Sequence, residues 1–157
     1  MQSDIMDCGP TCLRMIAAFH EKECQIEHLK EISNLDNTGV SLQNLSNAAG
    51  QIGFKTICVN IPLDILVKDA PLPCILYWNQ NHFVVLYHIS SKKNETIFFI
   101  ADPSRGLYAL DISTFAASWF SGNPENTLSI SFTGIAMLFE KSKKLHVGIN
   151  DLVLYKA

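Results

Sequence analysis

The sequence predicts an α+β domain in which N-terminal helices pack on an antiparallel β-sheet. Three observations point there. Up to Gly53 the apolar side chains recur at helical spacing, and beyond it they gather in short runs of strand length. The polar segment SSKKNE (90–95) lies between two such runs and reads as a hairpin loop, which makes the pairing antiparallel. Helices grouped ahead of strands, instead of alternating with them, belong to the α+β class.

The elements follow in order. GPTCLRMIAAFHEK starts a helix at Gly9, with Pro10 in the first turn, where its missing N–H costs nothing. Leu13, Ile16 and Ala17, with Cys12, Met15 and Phe19, cover much of its circumference, so the helix is expected to be buried on several sides. QIEHLKEI fits a second helix, with Ile26, Leu29 and Ile32 on one side. SLQNLSNAAGQIG fits a third, capped by Ser41 and closed at Gly53. Strands are expected at FKTICVNI, LPCILYWN, HFVVLYHIS, TIFFIADP, LYAL and TGIAMLFE. DISTFAASWF reads as a helix capped by Asp111 or Ser113.

Composition narrows the function. With 157 residues, 48% hydrophobic and 17% charged, the chain suits one compact, soluble domain with a proper core. A net charge of −3 without a basic patch argues against a nucleic-acid partner. No apolar run is long enough to span a membrane, and no signal-peptide pattern opens the chain. Five cysteines (8, 12, 24, 58, 74) are an odd number for a disulfide framework, so free thiols in a reducing, cytosolic setting are expected. Cys58 and Cys74 lie inside apolar strand runs and read as core.

Cys8 stands at the start of the first helix, where unpaired N–H groups and the helix dipole favour a thiolate. It reads either as a nucleophile or as a small buried residue. Cys12, one turn further into an apolar helix, reads as core packing. A zinc site built on this pair lacks the other two ligands at recognisable spacing, so no metal or cofactor is assigned. A nucleophilic cysteine needs a base and a group that orients it. Centring the hairpin turn near Lys92 sets His82 directly opposite Asp102, on one face and within hydrogen-bonding reach. Taken singly, His82 reads as an edge histidine and Asp102, before Pro103, as a turn former. Taken with Cys8, they form the helix-cysteine and sheet-histidine arrangement of papain-like enzymes. His88 has the same facing parity in that register and ranks second.

QSDIMDCGPTCLRMI resembles the opening of the bacteriocin-processing peptidase domain at the N-terminus of certain ABC transporters. The resemblance continues through GVSLQNLSNAAGQIGF, LPCILYWNQNHFVVL and IADPSRG, and covers roughly residues 2 to 140. It implies a papain-like cysteine protease fold that cuts leader peptides after a Gly-Gly pair. It also implies Cys8 as nucleophile, His82 as general base and acid, Asp102 as the orienting residue and Gln2 as an oxyanion-hole donor. Residues 1–140 would then be the peptidase domain, and 141–157 a tail or linker toward a transporter membrane domain. The implied partners are an amphipathic leader helix ending in Gly-Gly and the membrane and ATP-binding domains of the parent transporter. The implied location is the cytoplasmic side of the bacterial membrane. The sequence has no GxxxxGK[ST], so the chain reads as an excised domain. The alternatives are a leader-docking domain that does not cut, or another papain-like acyl-transfer enzyme.

Overall fold

The computed structural model describes residues 7–36, 39–120 and 132–140. Helix α1 (Cys8–Phe19) carries Pro10 in its first turn and fully buries Cys12, Leu13, Ile16 and Ala17. The expectation of burial on several sides needs correction. Arg14, Ala18 and Phe19 face outward, with Phe19 58% exposed, so α1 buries one broad stripe and leaves an apolar edge open. Helix α2 (Ile26–Ile32) buries Leu29 fully and Ile26 and Ile32 in part. Helix α3 (Leu42–Gln51) is capped as expected: the Ser41 hydroxyl oxygen accepts from the Asn44 N–H at 3.1 Å. Gly53, at φ +98°, takes the left-handed conformation that ends it.

Strand β1 (Thr56–Pro62) leads into a short helix α4 (Leu63–Asp69) that the sequence reading left out. Its signals are Asp64 in the first turn and Lys68 in the last, matching the helix dipole, but seven residues are too few for the period to stand out. Then come β2 (Cys74–Trp78), β3 (His82–Lys92), β4 (Glu95–Asp102) and β5 (Gly106–Asp111). Helix α5 (Ile112–Trp119) and β6 (Thr133–Phe139) complete the order. Of the two candidate caps for α5, Asp111 is used, accepting from the Thr114 N–H at 2.9 Å.

The described strands form one antiparallel sheet in the order β1-β6-β2-β3-β4-β5. Alternate residues feed two separate cores, as a strand's period of two requires. Ile75, Phe83 and Val85 pack with α1, α2 and α3, while Cys74, Leu76, Val84 and Leu86 pack with Phe115 and Trp119 of α5. Leu66 of α4 joins that second core, so helices cover both faces, the N-terminal three on one and α4 and α5 on the other. Residues 141–157, expected as a tail, lie outside the described residues.

The β3–β4 hairpin departs from the expected register. Its turn is two residues, Lys93 and Asn94, both at positive φ (50° and 67°), the geometry that matches the strand twist. Lys92 pairs with Glu95 and His88 with Phe99, but beyond Tyr87 the partners are Leu86 with Ile100 and Val85 with Ala101. Tyr87 is therefore an extra residue, a β-bulge. Continued to the strand ends, this register sets Asp102 opposite Val84, so His82 is its diagonal neighbour on the same face. The direct opposition expected from the sequence is wrong by two residues.

Gly134 of β6 lies under the Trp119 indole, where a Cβ would stand 2.3 Å from ring carbons. Trp119 is also held by its N–H donating to Ile135 O at 3.1 Å, so the ring has little room to yield. Gly134→Ala should lower stability by about 1–3 kcal/mol in urea unfolding. Gly50, in α3 with nothing near its absent Cβ, makes the contrast: Gly50→Ala should raise stability by up to about 1 kcal/mol.

Candidate active site

Three of the four residues singled out in the sequence meet at one end of the sheet. Cys8 is the first residue of α1, His82 the first of β3 and Asp102 the last of β4, and antiparallel pairing puts the latter two at the same edge. The His82 Nε2–H donates to Asp102 Oδ1 at 2.7 Å. With Nε2 so engaged, Nδ1 is the nitrogen left for a proton from Cys8. Among the described residues the buried Nδ1 has no hydrogen-bond partner, and Cys8 is one of the groups that raise the ring's pKa. Gln2 lies outside the described residues. His88 is exposed against Phe99, because the Tyr87 bulge reverses its facing parity relative to His82; it takes no part.

The local chain explains the positions. Trp78, at the end of β2, pairs with His82 across a three-residue loop in which Asn79 and Gln80 have positive φ. That loop is pinned to α5 by the Asn79 N–H donating to Ser118 O at 2.8 Å, and the Tyr77 hydroxyl donates to Gln80 O. At the other end, Asp7 just ahead of Cys8 is buried and ion-paired with Lys30 of α2 at 2.8 Å, which ties the start of α1 to its neighbour.

Asp102 is 3% exposed, and four donors surround its carboxylate. Oδ1 accepts from His82, from the Ser104 N–H at 2.9 Å and from the Ser104 hydroxyl at 2.9 Å, and Oδ2 accepts from the Tyr108 hydroxyl at 3.0 Å. Burial alone would raise its pKa, but the His82 and Ser104 hydrogen bonds prevail and the net shift is downward. For His82, burial favours the neutral ring, yet Cys8 and Asp102 outweigh it and the pKa rises. Ser104 and Tyr108 were not found by sequence reasoning. Only the Asp-Pro-Ser turn hinted at the first, and nothing in the sequence hinted at the second.

The other thiols are of a different kind. Cys12 is fully buried, with its pKa pushed well up by burial and then by Cys8 and Asp102, and burial raises Cys58 to about 11. Such thiols stay protonated and inert. Among the described residues no three His, Cys, Asp or Glu side chains gather as a metal ion would need. Two hollows are notable. A cleft of about 570 Å³ between Arg14 and Gln25 is bordered by charged residues and holds none of the site residues. A groove of about 350 Å³, almost wholly apolar, is lined by Met15, Phe19, Val85, Tyr87, Ala101 and Leu107 beside the site.

The model of the peptidase C39 family matches residues 1–123. The chain is 35% identical over 106 residues, 68% of its length, to the colicin V secretion/processing ATP-binding protein CvaB of Escherichia coli. It is 34% identical over 136 residues, 87% of its length, to the probable microcin-H47 secretion/processing ATP-binding protein MchF of the same organism. It spans only 14% and 17% of the lengths of those two relatives. It superposes with a TM-score of 0.74 on a double glycine motif protease from an AMS/PCAT transporter, solved in complex with the leader peptide. That match has 28% identity and covers 88% of this chain and 87% of the other. The peptidase domain of Streptococcus ComA shares the fold, with a TM-score of 0.69 at 23% identity over 88% and 93% of the two chains.

The two shifts set opposite pH windows. The raised His82 pKa stabilises the fold fully below its unfolded value of about 6.5, and that contribution is lost as pH rises through the folded value. The lowered Asp102 pKa contributes above about pH 4, and is lost as pH falls through its folded value. In Cys8→Ala and in Asp102→Asn the His82 ring should titrate at lower pH than in the wild type, followed by imidazole C–H NMR shifts. Identical titration in all three proteins would mean that neither neighbour acts on the ring.

Proposed function

This chain belongs to the peptidase C39 family, and from that premise we propose that it is the leader-cutting domain of a peptide-exporting ABC transporter, with Cys8 as nucleophile. The observation that carries the reading is the state of His82. One nitrogen is committed to a buried carboxylate at 2.7 Å, and the other is buried with no hydrogen-bond partner among the described residues. That is the arrangement a base needs to take a thiol proton and keep it.

The chemistry follows from those positions. His82 Nδ1 takes the Cys8 proton, and Asp102 stabilises the imidazolium and fixes the tautomer. The thiolate sulfur attacks the carbonyl carbon of the second glycine, and negative charge develops on the carbonyl oxygen. The Cys8 N–H, at the first residue of α1, is assigned as one donor to that oxygen. The Gln2 side-chain amide is assigned as the second donor. His82 then gives its proton to the leaving amine, the C–N bond breaks, and a thioester to the leader remains. Water, deprotonated by His82, hydrolyses the thioester and restores the thiol. Two glycines suit a narrow approach to the sulfur, since neither carries a Cβ.

The apolar groove is assigned to the leader. Phe19 and Leu107, 58% and 73% exposed, are large apolar side chains left facing solvent along it, the kind of lining that receives the apolar stripe of an amphipathic helix. The transporter's membrane and ATP-binding domains are proposed to lie on the same polypeptide, outside the stretch given. No helix among the described residues is long and apolar enough to cross a membrane. A leader removed before export places the domain on the cytoplasmic side.

With a synthetic precursor whose leader ends in Gly-Gly, Cys8→Ala and His82→Ala should each lower kcat by more than about a thousandfold. Cys12→Ala should keep most of it. A Cys8→Ala protein that cuts at the normal rate would overturn the assignment, and wild-type protein that binds without cutting would make this a docking domain. Leu107→Glu and Phe19→Glu should raise KM at least about tenfold with kcat nearly unchanged, as loss of uniform binding requires.

A further inference from the structure

Tyr108 belongs to β5, the edge strand, where it pairs with Ile100, two residues before Asp102. It therefore points to the same face as Asp102, and its hydroxyl reaches Asp102 Oδ2 at 3.0 Å. The division of labour on the carboxylate is uneven. Oδ1 is shared among His82, the Ser104 N–H and the Ser104 hydroxyl, whereas Tyr108 is the donor found on Oδ2. The Trp78 indole N–H acts on the Tyr108 hydroxyl in turn, and Trp78 is the direct cross-strand partner of His82. Trp78 of β2, His82 of β3, Asp102 of β4 and Tyr108 of β5 thus lie together across four neighbouring strands.

We propose that Tyr108 is a positioning residue for the thiol–imidazole pair, holding the Asp102 carboxylate in the one rotation that keeps Oδ1 on His82 Nε2. Rotation about the carboxylate's terminal torsion, which is broad and soft, would carry both oxygens off their partners together. Ser104 opposes it only at Oδ1, where both of its donors meet the oxygen that His82 uses, and Tyr108 opposes it at Oδ2. The Ser104 hydroxyl also lies 3.4 Å from His82 Nε2, so a swivelled carboxylate would leave the ring a competing partner. Anchoring Oδ2 closes that escape. The imidazole then keeps its proton on Nε2, and Nδ1 stays open toward Cys8. The charged and titratable groups facing these side chains are Cys8 and Asp102 on His82, and Arg105, whose guanidinium carbon is 5.6 Å from the Tyr108 ring centroid.

This role rests on the peptidase reading for its effect on turnover, but not for its effect on the thiol. The test uses Tyr108→Phe, which keeps the ring and removes only the hydroxyl, in wild-type and Asp102→Asn backgrounds. Four quantities are read: kcat and KM on the Gly-Gly precursor, the pH profile of Cys8 alkylation by iodoacetamide, and the urea midpoint. Tyr108→Phe should lower kcat by roughly tenfold, as leaving a buried acceptor unsatisfied does, with KM unchanged. The limb of the alkylation profile set by His82 deprotonation should move to lower pH. In Asp102→Asn the same substitution should do nothing further, because the residue it acts through is already lost. Additive losses, or a lower urea midpoint with an unmoved pH profile, would overturn the proposal. If wild-type protein fails to cut the precursor while its Cys8 profile still depends on Tyr108, the substrate assignment fails and the positioning role stands.

Discussion

The site depends on one residue too many in one strand. Up to Tyr87 the β3–β4 hairpin runs in a register that, continued, would put His82 and Asp102 on opposite faces of the sheet. The unpaired Tyr87 shifts β3 by one residue against β4, and beyond it the two side chains share a face. The same residue turns His88 the other way, toward Phe99 and out of the site. Bulges cost ladder bonds and survive where they re-aim a side chain. Here the re-aimed group is the imidazole.

Once His82 and Asp102 share a face, burial would separate their charges from water without compensation. The carboxylate escapes that cost because four donors, from β3, the 102–105 turn and β5, replace its hydration. It stays ionised, and its charge in turn keeps the half-buried imidazole able to hold a proton. Cys12 shows the opposite outcome one turn away from Cys8. Burial takes it out of water, and its neighbours Cys8 and Asp102 only disfavour a further negative charge.

Much of this was legible in the sequence. The helix caps at Ser41 and Asp111 and the closing Gly53 are local chemistry, and local chemistry is written in a few adjacent residues. Buried strands such as CILYW and HFVVL show as apolar runs. What escaped is non-local. The register of a hairpin depends on the turn type, and a two-residue turn at Lys93-Asn94 lacks the glycine that usually marks it. The bulge has no sequence signal of its own. That the expected register still joined His82 to Asp102 reflects its even two-residue error, which preserved the face. Tyr108 and Ser104 meet Asp102 only once β5 and the turn are folded against it. The exposed edge of α1 was misjudged because Phe19 reads as core by composition, whereas here it lines a groove.

The groove and the site are built from the same strands, one residue apart. Val85 pairs with Ala101 and Ala101 with Leu107, so these three form a row across β3, β4 and β5 on the face that carries α1. The next position along β4 is Asp102, about 3.3 Å further on, with its side chain turned to the opposite face. The apolar groove and the His82–Asp102 pair are thus a single step apart along the chain. Gly106, at φ +86° and paired with Asp102, lets β5 turn back tightly enough to bring both Leu107 and Tyr108 into register. One strand therefore supplies the outermost apolar contact of the groove and the donor that anchors the carboxylate. A shift of β5 by one residue would remove both at once.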